Sequence, residues 1–304
     1  MSTDQAADWT TSKESGSKRQ LRLMRWLALR APAAVTDPLI WAISLIFALQ
    51  TWRPTTRGSI LYLSRILGRD PGLRERHRHA RTFAHVFLDR VQLLANGVDS
   101  FRIDANGQHL IEGLHNSGRG AVLLGAHFGS FEALRAFDRS LPGLRVRYLM
   151  FPENAQTSTA LMSELNTEVA DRVISLADGK RAMMEAGEAL RRGDFVAFLG
   201  DRLPDRTIRS QISVPFLGES IKLPTSPYIV AMVARVPLIL CVAPRLGRAH
   251  YAIEFSLLDD GAPVERAARS DHIAVLADRY SATLENLCRR YPYNWFNFFD
   301  IWGE

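Results

Sequence analysis

The sequence predicts an α/β fold with a mostly parallel central sheet flanked by helices, preceded by an N-terminal helical region. Short, wholly apolar runs such as 120–125 and 195–199 are typical of buried strands. Stretches with helical spacing, such as 180–192, alternate with them, and such alternation favours a parallel sheet. With 304 residues, of which 47% are hydrophobic, the chain is long enough to bury the core of one large domain.

The first segments predict a disordered tail and a basic helix. Residues 1–20 are polar and rich in Ser, Thr and Lys, so we expect them to be disordered. In residues 18–30, basic side chains fall on one side of a helical projection and mostly apolar ones on the other. This pattern is typical of a helix on an anionic membrane. It also fits a helix that packs on the protein and exposes its basic face.

An apolar segment follows. Residues 38–52 are uncharged and have a tryptophan near each end. As a helix they reach about 22 Å, less than the roughly 30 Å hydrocarbon core, so a shallow or re-entrant anchor is expected rather than a clean span. The pattern of a cleavable signal is missing, which favours a retained anchor with its basic flank in the cytoplasm. With helices predicted at 55–67 and 73–96, residues 21–96 form the N-terminal membrane-associating region.

Residues 97–304 are expected to form the α/β domain, packing as one unit with residues 21–96. Its predicted strands are 120–125, 144–150, 172–176, 195–199, 236–243 and 251–257, and its predicted helices are 154–169, 180–192 and 264–290. The aromatic segment 291–302 either covers the core or forms a membrane-interface belt.

A histidine marks the first strand end. His127 lies between a strand that ends at Gly125 and a helix that begins near Ser130, a junction that opens into the substrate crevice in α/β proteins. Glu132 falls in the first helical turn, from which its carboxylate can reach back to the imidazole. A histidine held by a carboxylate can act as a general base. The alternative is structural: Glu132 only faces the helix dipole and His127 is a hydrogen-bonded loop residue.

A second strand end carries charge. The apolar run 195–199 is followed by Gly200, Asp201 and Arg202. Because the carboxyl ends of parallel strands lie at one edge of a sheet, we expect Asp201 and Arg202 to face the same crevice as His127. The alternative is an ion pair that only ties down the turn after Arg202.

The composition limits the partners. The formal net charge of +6 favours an anionic membrane, an acidic carrier protein or nucleic acid. Arg206, Arg209 and Lys222 add cationic groups near residues 214–218, a cluster that suits an acidic carrier protein or a pantetheine phosphate. Arg206 and Phe216 are predicted to bind substrate. The two cysteines lie far apart in apolar or helical surroundings, so neither a disulfide framework nor a thiolate metal site is indicated and a reducing compartment fits. His77 and His79 would point away from each other on a helix, which argues against a metal site there.

Several catalytic motifs are missing. The sequence has no G-x-x-x-x-G-K-[ST], no G-x-S-x-G and no G-x-G-x-x-G after a strand. These absences argue against a P-loop enzyme, an ordinary serine hydrolase and a dinucleotide-binding protein.

An ordered set of motifs remains: His127-x-x-x-x-Glu132, then residues 200–202, 214–218 and 236–239. The set resembles the glycerolipid acyltransferase superfamily, in its bacterial lipid A late-acyltransferase branch. The resemblance extends over roughly residues 21–302. It implies that His127 is the base, that Glu132 is its partner, and that Asp201 and its surroundings shape the acceptor or pantetheine pocket.

The resemblance implies transfer of a fatty acyl group from acyl-carrier protein or acyl-CoA to a hydroxyl or amine of a membrane lipid, at the cytoplasmic face of a bacterial inner membrane. His127 would deprotonate the acceptor, and backbone N–H groups near Gly129 and Ser130 would bind the oxyanion. Ser130 lacks a nucleophile-elbow motif and is expected to cap the helix instead. No cofactor, metal ion or nucleic acid is expected.

The chain departs from the lipid A branch in two places. That branch usually has an arginine just after the second strand and basic residues in the terminal segment, where this chain has Tyr-Leu-Met at 148–150 and Phe-Asn-Phe-Phe at 296–299. The terminal pattern is more similar to related acyltransferases of aryl-polyene or other specialised-lipid pathways. Two other classes remain open: a membrane-associated lipid or thioester hydrolase that uses the same pair, and a non-catalytic membrane-surface protein.

Overall fold

A computed structural model describes residues 25–134, 141–150, 171–203 and 210–303. The predicted tail at 1–20, the predicted helix at 154–169 and Arg206 lie outside the described residues. The basic helix predicted at 18–30 is described from residue 25, and residues 25–30 are helical.

Helices and strands are numbered here in chain order. The helices are α1 (Ala33–Leu49), α2 (Pro54–Leu67), α3 (Leu73–Asn96), α4 (Gln108–Asn116), α5 (Lys180–Arg191), α6 (Ser226–Ala234) and α7 (Arg269–Arg290). The strands are β1 (Arg102–Asn106), β2 (Val122–Gly125), β3 (Val146–Met150), β4 (Val173–Ser175), β5 (Phe195–Leu199), β6 (Gln211–Phe216), β7 (Glu219–Pro224), β8 (Leu238–Val242), β9 (Arg245–Gly247) and β10 (His250–Asp259). A helical turn at 131–134 follows β2.

Most of the described elements match the predicted ones. The predicted bounds of α3 are confirmed, whereas the helix predicted at 38–52 runs instead from Ala33 to Leu49, with Pro38 inside it. The elements β1, α4, α6, β9 and the β6–β7 hairpin are additional to those predicted.

The main sheet has the strand order β1-β10-β8-β2-β5-β3-β4, and β9 pairs with β10. Every neighbouring pair along this order is parallel except β10 with β8, which is antiparallel, as is β9 with β10. Strands β6 and β7 form a separate antiparallel hairpin. The predicted mostly parallel α/β sheet is therefore confirmed.

Strands β2 and β5 lie side by side, and this adjacency positions the site. They are parallel, with Gly125 opposite Leu199. The next N–H, of Gly200, donates to the Gly125 carbonyl over 3.0 Å. The residues that follow the two strands therefore emerge together at the carboxyl edge of the sheet.

Helices α2 and α3 contribute side chains to the two hydrophobic cores, which lie on opposite faces of the sheet. On one face, Tyr62 and Leu63 of α2 belong to the same buried cluster as Leu124. On the other, Val91 of α3 belongs to the cluster that includes Leu123. Since successive residues of a strand point to opposite faces, β2 contributes to both clusters.

Helix α1 exposes most of its large apolar side chains and, apart from Ile40, buries small or polar ones. The buried positions are Thr36, Ile40, Ser44 and Ala48, whereas the exposed apolar ones include Trp41, Ile43 and Ile46, at 47%, 54% and 57%. Among the described residues, no single helix is long and apolar enough to cross a membrane; α1 and α2 pass that test only as a pair, bent by 86°.

The C-terminal aromatic segment is partly core. Trp295 is fully buried, and Phe296 is 6% exposed. Phe128 and Trp295 form an antiparallel bridge, so the segment lies along the chain that carries His127. Of the two predicted alternatives, the core-covering one holds for these residues.

Gly58 of α2 lies against the backbone of this segment, so a substitution there tests how closely the two pack. A Cβ at Gly58 would lie 2.4 Å from the backbone carbonyl carbon of Phe298. We expect Gly58→Ala to lower the free energy of unfolding by about 1–3 kcal/mol through overpacking. The control is Gly187→Ala in α5, where no atom lies within 4 Å and helix propensity predicts a gain of about 0.5–1 kcal/mol. Equal effects of the two substitutions in denaturant titrations would contradict the close approach.

Candidate active site

The ends of β2 and β5 bring His127 and Asp201 together. Nδ1 of His127 lies 2.9 Å from Oδ1 of Asp201. The prediction that Asp201 emerges beside His127 is therefore confirmed. The contact follows from the sheet order, because β2 and β5 are neighbours and each residue lies two positions beyond the end of its strand.

The other oxygen of Asp201 is also occupied. Oδ2 accepts a hydrogen bond from the backbone N–H of His127 and another from the indole N–H of Trp295, each over 2.9 Å. Asp201 is only 2% exposed. A buried carboxylate needs such partners, because an unpaired charge in a low dielectric is strongly destabilising.

These contacts select the tautomer of His127. An ionised carboxylate can only accept, so Nδ1 carries the ring proton and Nε2 keeps its lone pair. About a third of the His127 side chain, 33%, is exposed. The ring is therefore held in one orientation with a basic nitrogen that a substrate can reach.

The local charges favour a neutral imidazole beside an ionised carboxylate. Burial lowers the pKa of His127, and the positive charge of Arg202 lowers it further, while Asp201 acts in the opposite direction. Burial would raise the pKa of Asp201, but the contacts with His127 and the charge of Arg202 hold it well below its usual range. The resting pair is therefore ready to accept a proton at Nε2.

Arg202 belongs to the same cluster, and part of its guanidinium is already hydrogen-bonded within the protein. Its Nη2 donates to the Phe296 carbonyl over 2.7 Å, and its guanidinium lies 5.2 Å from the centre of the Phe299 ring. Burial lowers its pKa to about 10, so it stays charged near neutral pH. Its buried Nε has no hydrogen-bond partner among the described residues.

The predicted pairing of Glu132 with His127 is wrong, because Glu132 pairs with Arg90 instead. Oε1 of Glu132 lies 2.5 Å from Nε of Arg90 in α3, and Glu132 is 4% exposed. The helical turn at 131–134 directs this carboxylate towards α3. The carboxylate on Nδ1 of His127 is instead that of Asp201.

The predicted oxyanion donors are also occupied. The N–H of Gly129 donates to the Asn294 carbonyl over 2.8 Å, and that of Ser130 donates to the Ala243 carbonyl over 2.9 Å. The oxyanion role of these two groups is therefore corrected. Oγ of Ser130 accepts the N–H of Ala133, which confirms the predicted helix cap.

Phe216 was predicted to bind substrate, but it is completely buried. Its ring centre lies 5.2 Å from that of Trp295, and it stacks on Trp302. Phe216 therefore supports Trp295 rather than facing a ligand. Trp295 itself is the site residue that sequence reasoning missed; the only local signal is that a buried indole N–H needs an acceptor.

An apolar cavity lies on the sheet face next to the same strand end. Gly125, just before His127, and Phe131, just after it, both contribute to its wall. The described residues that line it are almost all apolar and include Leu123, Val146, Tyr148, Phe195, Ala197 and Phe255.

The described residues contain no cluster of three or more His, Cys, Asp or Glu side chains placed to hold a metal ion. His77 contacts the Trp41 carbonyl, whereas His79 is fully buried and bonds to Ser59 and Trp295. Cys241 and Cys288 are both buried free thiols.

Comparison with known proteins identifies the family of this chain. The family model of bacterial lipid A biosynthesis acyltransferases matches residues 89–302, a span that contains both strand ends, Arg90 and Trp295. A search of curated proteins finds no match. Because the match covers more than two thirds of the chain, the chain belongs to the bacterial lipid A biosynthesis acyltransferase family.

Proposed function

We propose that this acyltransferase moves a fatty acyl group from acyl-carrier protein or acyl-CoA to a hydroxyl or amine of a lipid, with His127 as general base and Asp201 as its partner. Family membership supports acyl transfer to a lipid acceptor. The observation that carries the mechanism is the 2.9 Å contact from Nδ1 of His127 to Asp201, since it leaves Nε2 as the basic atom of a partly exposed ring.

In the proposed reaction, Nε2 takes the proton from the acceptor as its oxygen or nitrogen attacks the thioester carbonyl. Asp201 stays ionised and stabilises the imidazolium that forms. The tetrahedral intermediate then collapses, the carbon–sulfur bond breaks, and the imidazolium returns the proton to the leaving thiolate. No covalent acyl-enzyme forms in this sequence.

The negative charge of the intermediate needs a partner other than the N–H groups of Gly129 and Ser130. We assign this role to Arg202, whose charge acts on His127 and whose Nε has no partner among the described residues. A fixed positive charge in a partly buried site stabilises a developing oxyanion without reorganisation.

The apolar cavity beside Gly125 is the proposed site of the acyl chain. Its lining of aromatic and aliphatic side chains suits a hydrocarbon and offers few polar groups. A chain lying there would bring its thioester to the β2 strand end that carries His127.

We further propose that the protein acts at the cytoplasmic face of the bacterial inner membrane, with the exposed side of α1 in the lipid interface. The exposed apolar residues of α1 support this placement, as do Trp52, Arg53 and Arg57 beyond its end, which are also exposed. Tryptophan and arginine are suited to the boundary between hydrocarbon and anionic headgroups.

The first prediction from the proposed function ranks the two carboxylates. His127→Ala should lower the transfer rate by about 10²–10⁴-fold, the typical worth of a general base. Asp201→Asn should lower the rate more than Glu132→Gln, because only Asp201 contacts the imidazole. The assay follows labelled acyl groups from acyl-carrier protein or CoA to a bacterial lipid extract.

Reactions without lipid serve as the control, because a hydrolase releases free acid whether or not an acceptor is present. Full activity of folded His127→Ala would contradict the mechanism. A larger effect of Glu132→Gln than of Asp201→Asn would return the partner role to Glu132.

The second prediction concerns pH. Since the pKa of His127 is lowered and the neutral ring is the active form, the acid limb of kcat/KM should lie below about 6.5, the ordinary histidine value. Asp201→Asn removes an effect that raises this pKa, so its limb should move to lower pH. Arg202→Met removes one that lowers it, so its limb should move to higher pH. Shifts in the same direction would contradict the assigned charges.

The third prediction concerns the membrane. Replacing Ile43 and Ile46 together by Asp should weaken sedimentation with anionic liposomes, because both side chains are more than half exposed on the proposed lipid face. The matched control replaces Ile229 and Val233 together by Asp, which puts the same charge on two apolar residues of α6 that are 38% and 67% exposed. Unchanged binding of the double variant would place the attachment elsewhere.

A further inference from the structure

Three consecutive residues near the C-terminus, Asn294 to Phe296, lie across the site and are called the strap below. The Asn294 carbonyl accepts the N–H of Gly129 over 2.8 Å, and the N–H of Phe296 donates to the His127 carbonyl over 2.7 Å. Between them, the Trp295 indole donates to Asp201 over 2.9 Å. The strap therefore contacts both halves of the catalytic pair.

The strap is held from behind by a buried histidine of α3. Nε2 of His79 lies 2.8 Å from the Trp295 carbonyl, and Nδ1 lies 2.7 Å from Oγ of Ser59 in α2. Because a carbonyl can only accept, Nε2 carries the proton and Nδ1 accepts from the serine hydroxyl. Both ring nitrogens are thus satisfied, and the direction of the ring is fixed.

His79 is neutral and enclosed by aromatic rings. It is completely buried, with the rings of Tyr62, Phe296 and Phe298 centred 5.6, 6.0 and 5.2 Å away. Burial lowers its pKa to about 4, so it stays uncharged throughout the working range of an imidazole base. An apolar side chain would fill this place without any polar group to desolvate; what the imidazole adds is a directed hydrogen bond.

We propose that His79 is a positioning residue for acyl transfer: by fixing the Trp295 carbonyl, it holds the indole N–H on Asp201 and thereby the orientation of His127. This inference rests on the proposed function. It makes α2 and α3 part of the catalytic unit. His79 lies on α3, Ser59 that bonds to its ring lies on α2, and the Trp295 carbonyl that it binds lies in the strap.

The path from His79 through Trp295 to Asp201 consists of two hydrogen bonds and leaves little room for movement. Trp295 is fully buried, and the same residue carries both the carbonyl that His79 holds and the indole that Asp201 accepts. Close packing between α2 and the residues after the strap limits movement further, as the Gly58 approach to Phe298 shows. Losing the His79 bond therefore lets the indole shift relative to Asp201, and misplacement of about 1 Å can cost about 10²-fold in rate.

The test compares His79→Leu, which fills the space but cannot donate, with His79→Gln, which can place an amide N–H near the Nε2 position. We expect His79→Leu to lower kcat by about tenfold or more with KM little changed, and His79→Gln to recover much of that loss. His77→Leu is the matched control: it removes a histidine contact with a carbonyl from the same helix, to Trp41 of α1 and not to the strap, and should leave kcat unchanged.

A double-mutant cycle separates positioning from general destabilisation. If His79 acts through the indole, adding His79→Leu to Trp295→Phe should cause little further loss of kcat, whereas independent structural effects would multiply. Multiplied losses, or unchanged kcat in His79→Leu, would overturn the proposal. Should His79→Leu fail to fold, Ser59→Ala removes only the hydroxyl that orients the ring and should lower kcat in the same direction; an unchanged rate would again overturn it.

An NMR measurement tests this inference separately from the proposed function. The indole N–H resonance of Trp295, assigned by its loss in Trp295→Phe, should shift in His79→Leu and return towards its original position in His79→Gln. The shift is measurable even if the protein transfers no acyl group in any assay, in which case the proposed function fails alone. An unmoved indole resonance in His79→Leu would overturn the positioning role.

Discussion

The site depends on one buried carboxylate. Asp201 is 2% exposed and accepts three N–H groups: two from His127 and one from Trp295. Charge-assisted hydrogen bonds of this kind make an ionised group tolerable in a low dielectric. Because the donors lie 74 and 94 residues away along the chain, the same interaction that orients the His127 ring also joins the β2 strand end to the C-terminal segment.

A second set of buried charges joins helix α3 to the domain that carries the site. Arg90 of α3 pairs with Glu132. The preceding residue, Asp89, accepts hydrogen bonds from Nε of Arg245 over 2.9 Å and from the Tyr251 hydroxyl over 2.7 Å. Removing one member of such a pair leaves an uncompensated buried charge, so α3 is fixed to the edge of the sheet that carries the site. Glu132 thus has a clear structural role that needs no contact with His127.

The sequence predicts what is local and leaves open what depends on neighbours in space. An apolar run ended by glycine marks each strand end, which is why His127 and Asp201 could be placed at the same edge of the sheet. The order of the strands is not local, so Glu132, which is near in sequence, was assigned to His127 although β5 brings Asp201 there. The N–H groups of Gly129 and Ser130 similarly looked available, because their acceptors come from distant loops. Trp295 could not be distinguished among the terminal aromatics, because its role depends on its contacts with Asp201 and His79, which are distant in sequence.

The central claim is that Asp201 holds the proton of Nδ1 and leaves Nε2 of His127 as the base. The most direct measurement is long-range proton–nitrogen NMR on protein labelled with ¹⁵N in its histidine rings, with His127 assigned by substitution. The account predicts that the neutral ring of His127 is protonated at Nδ1, with a hydrogen-bonded proton that changes its shift in Asp201→Asn and keeps it in Glu132→Gln. A neutral ring protonated at Nε2, or an Nδ1 proton that responds to Glu132→Gln and not to Asp201→Asn, would contradict it.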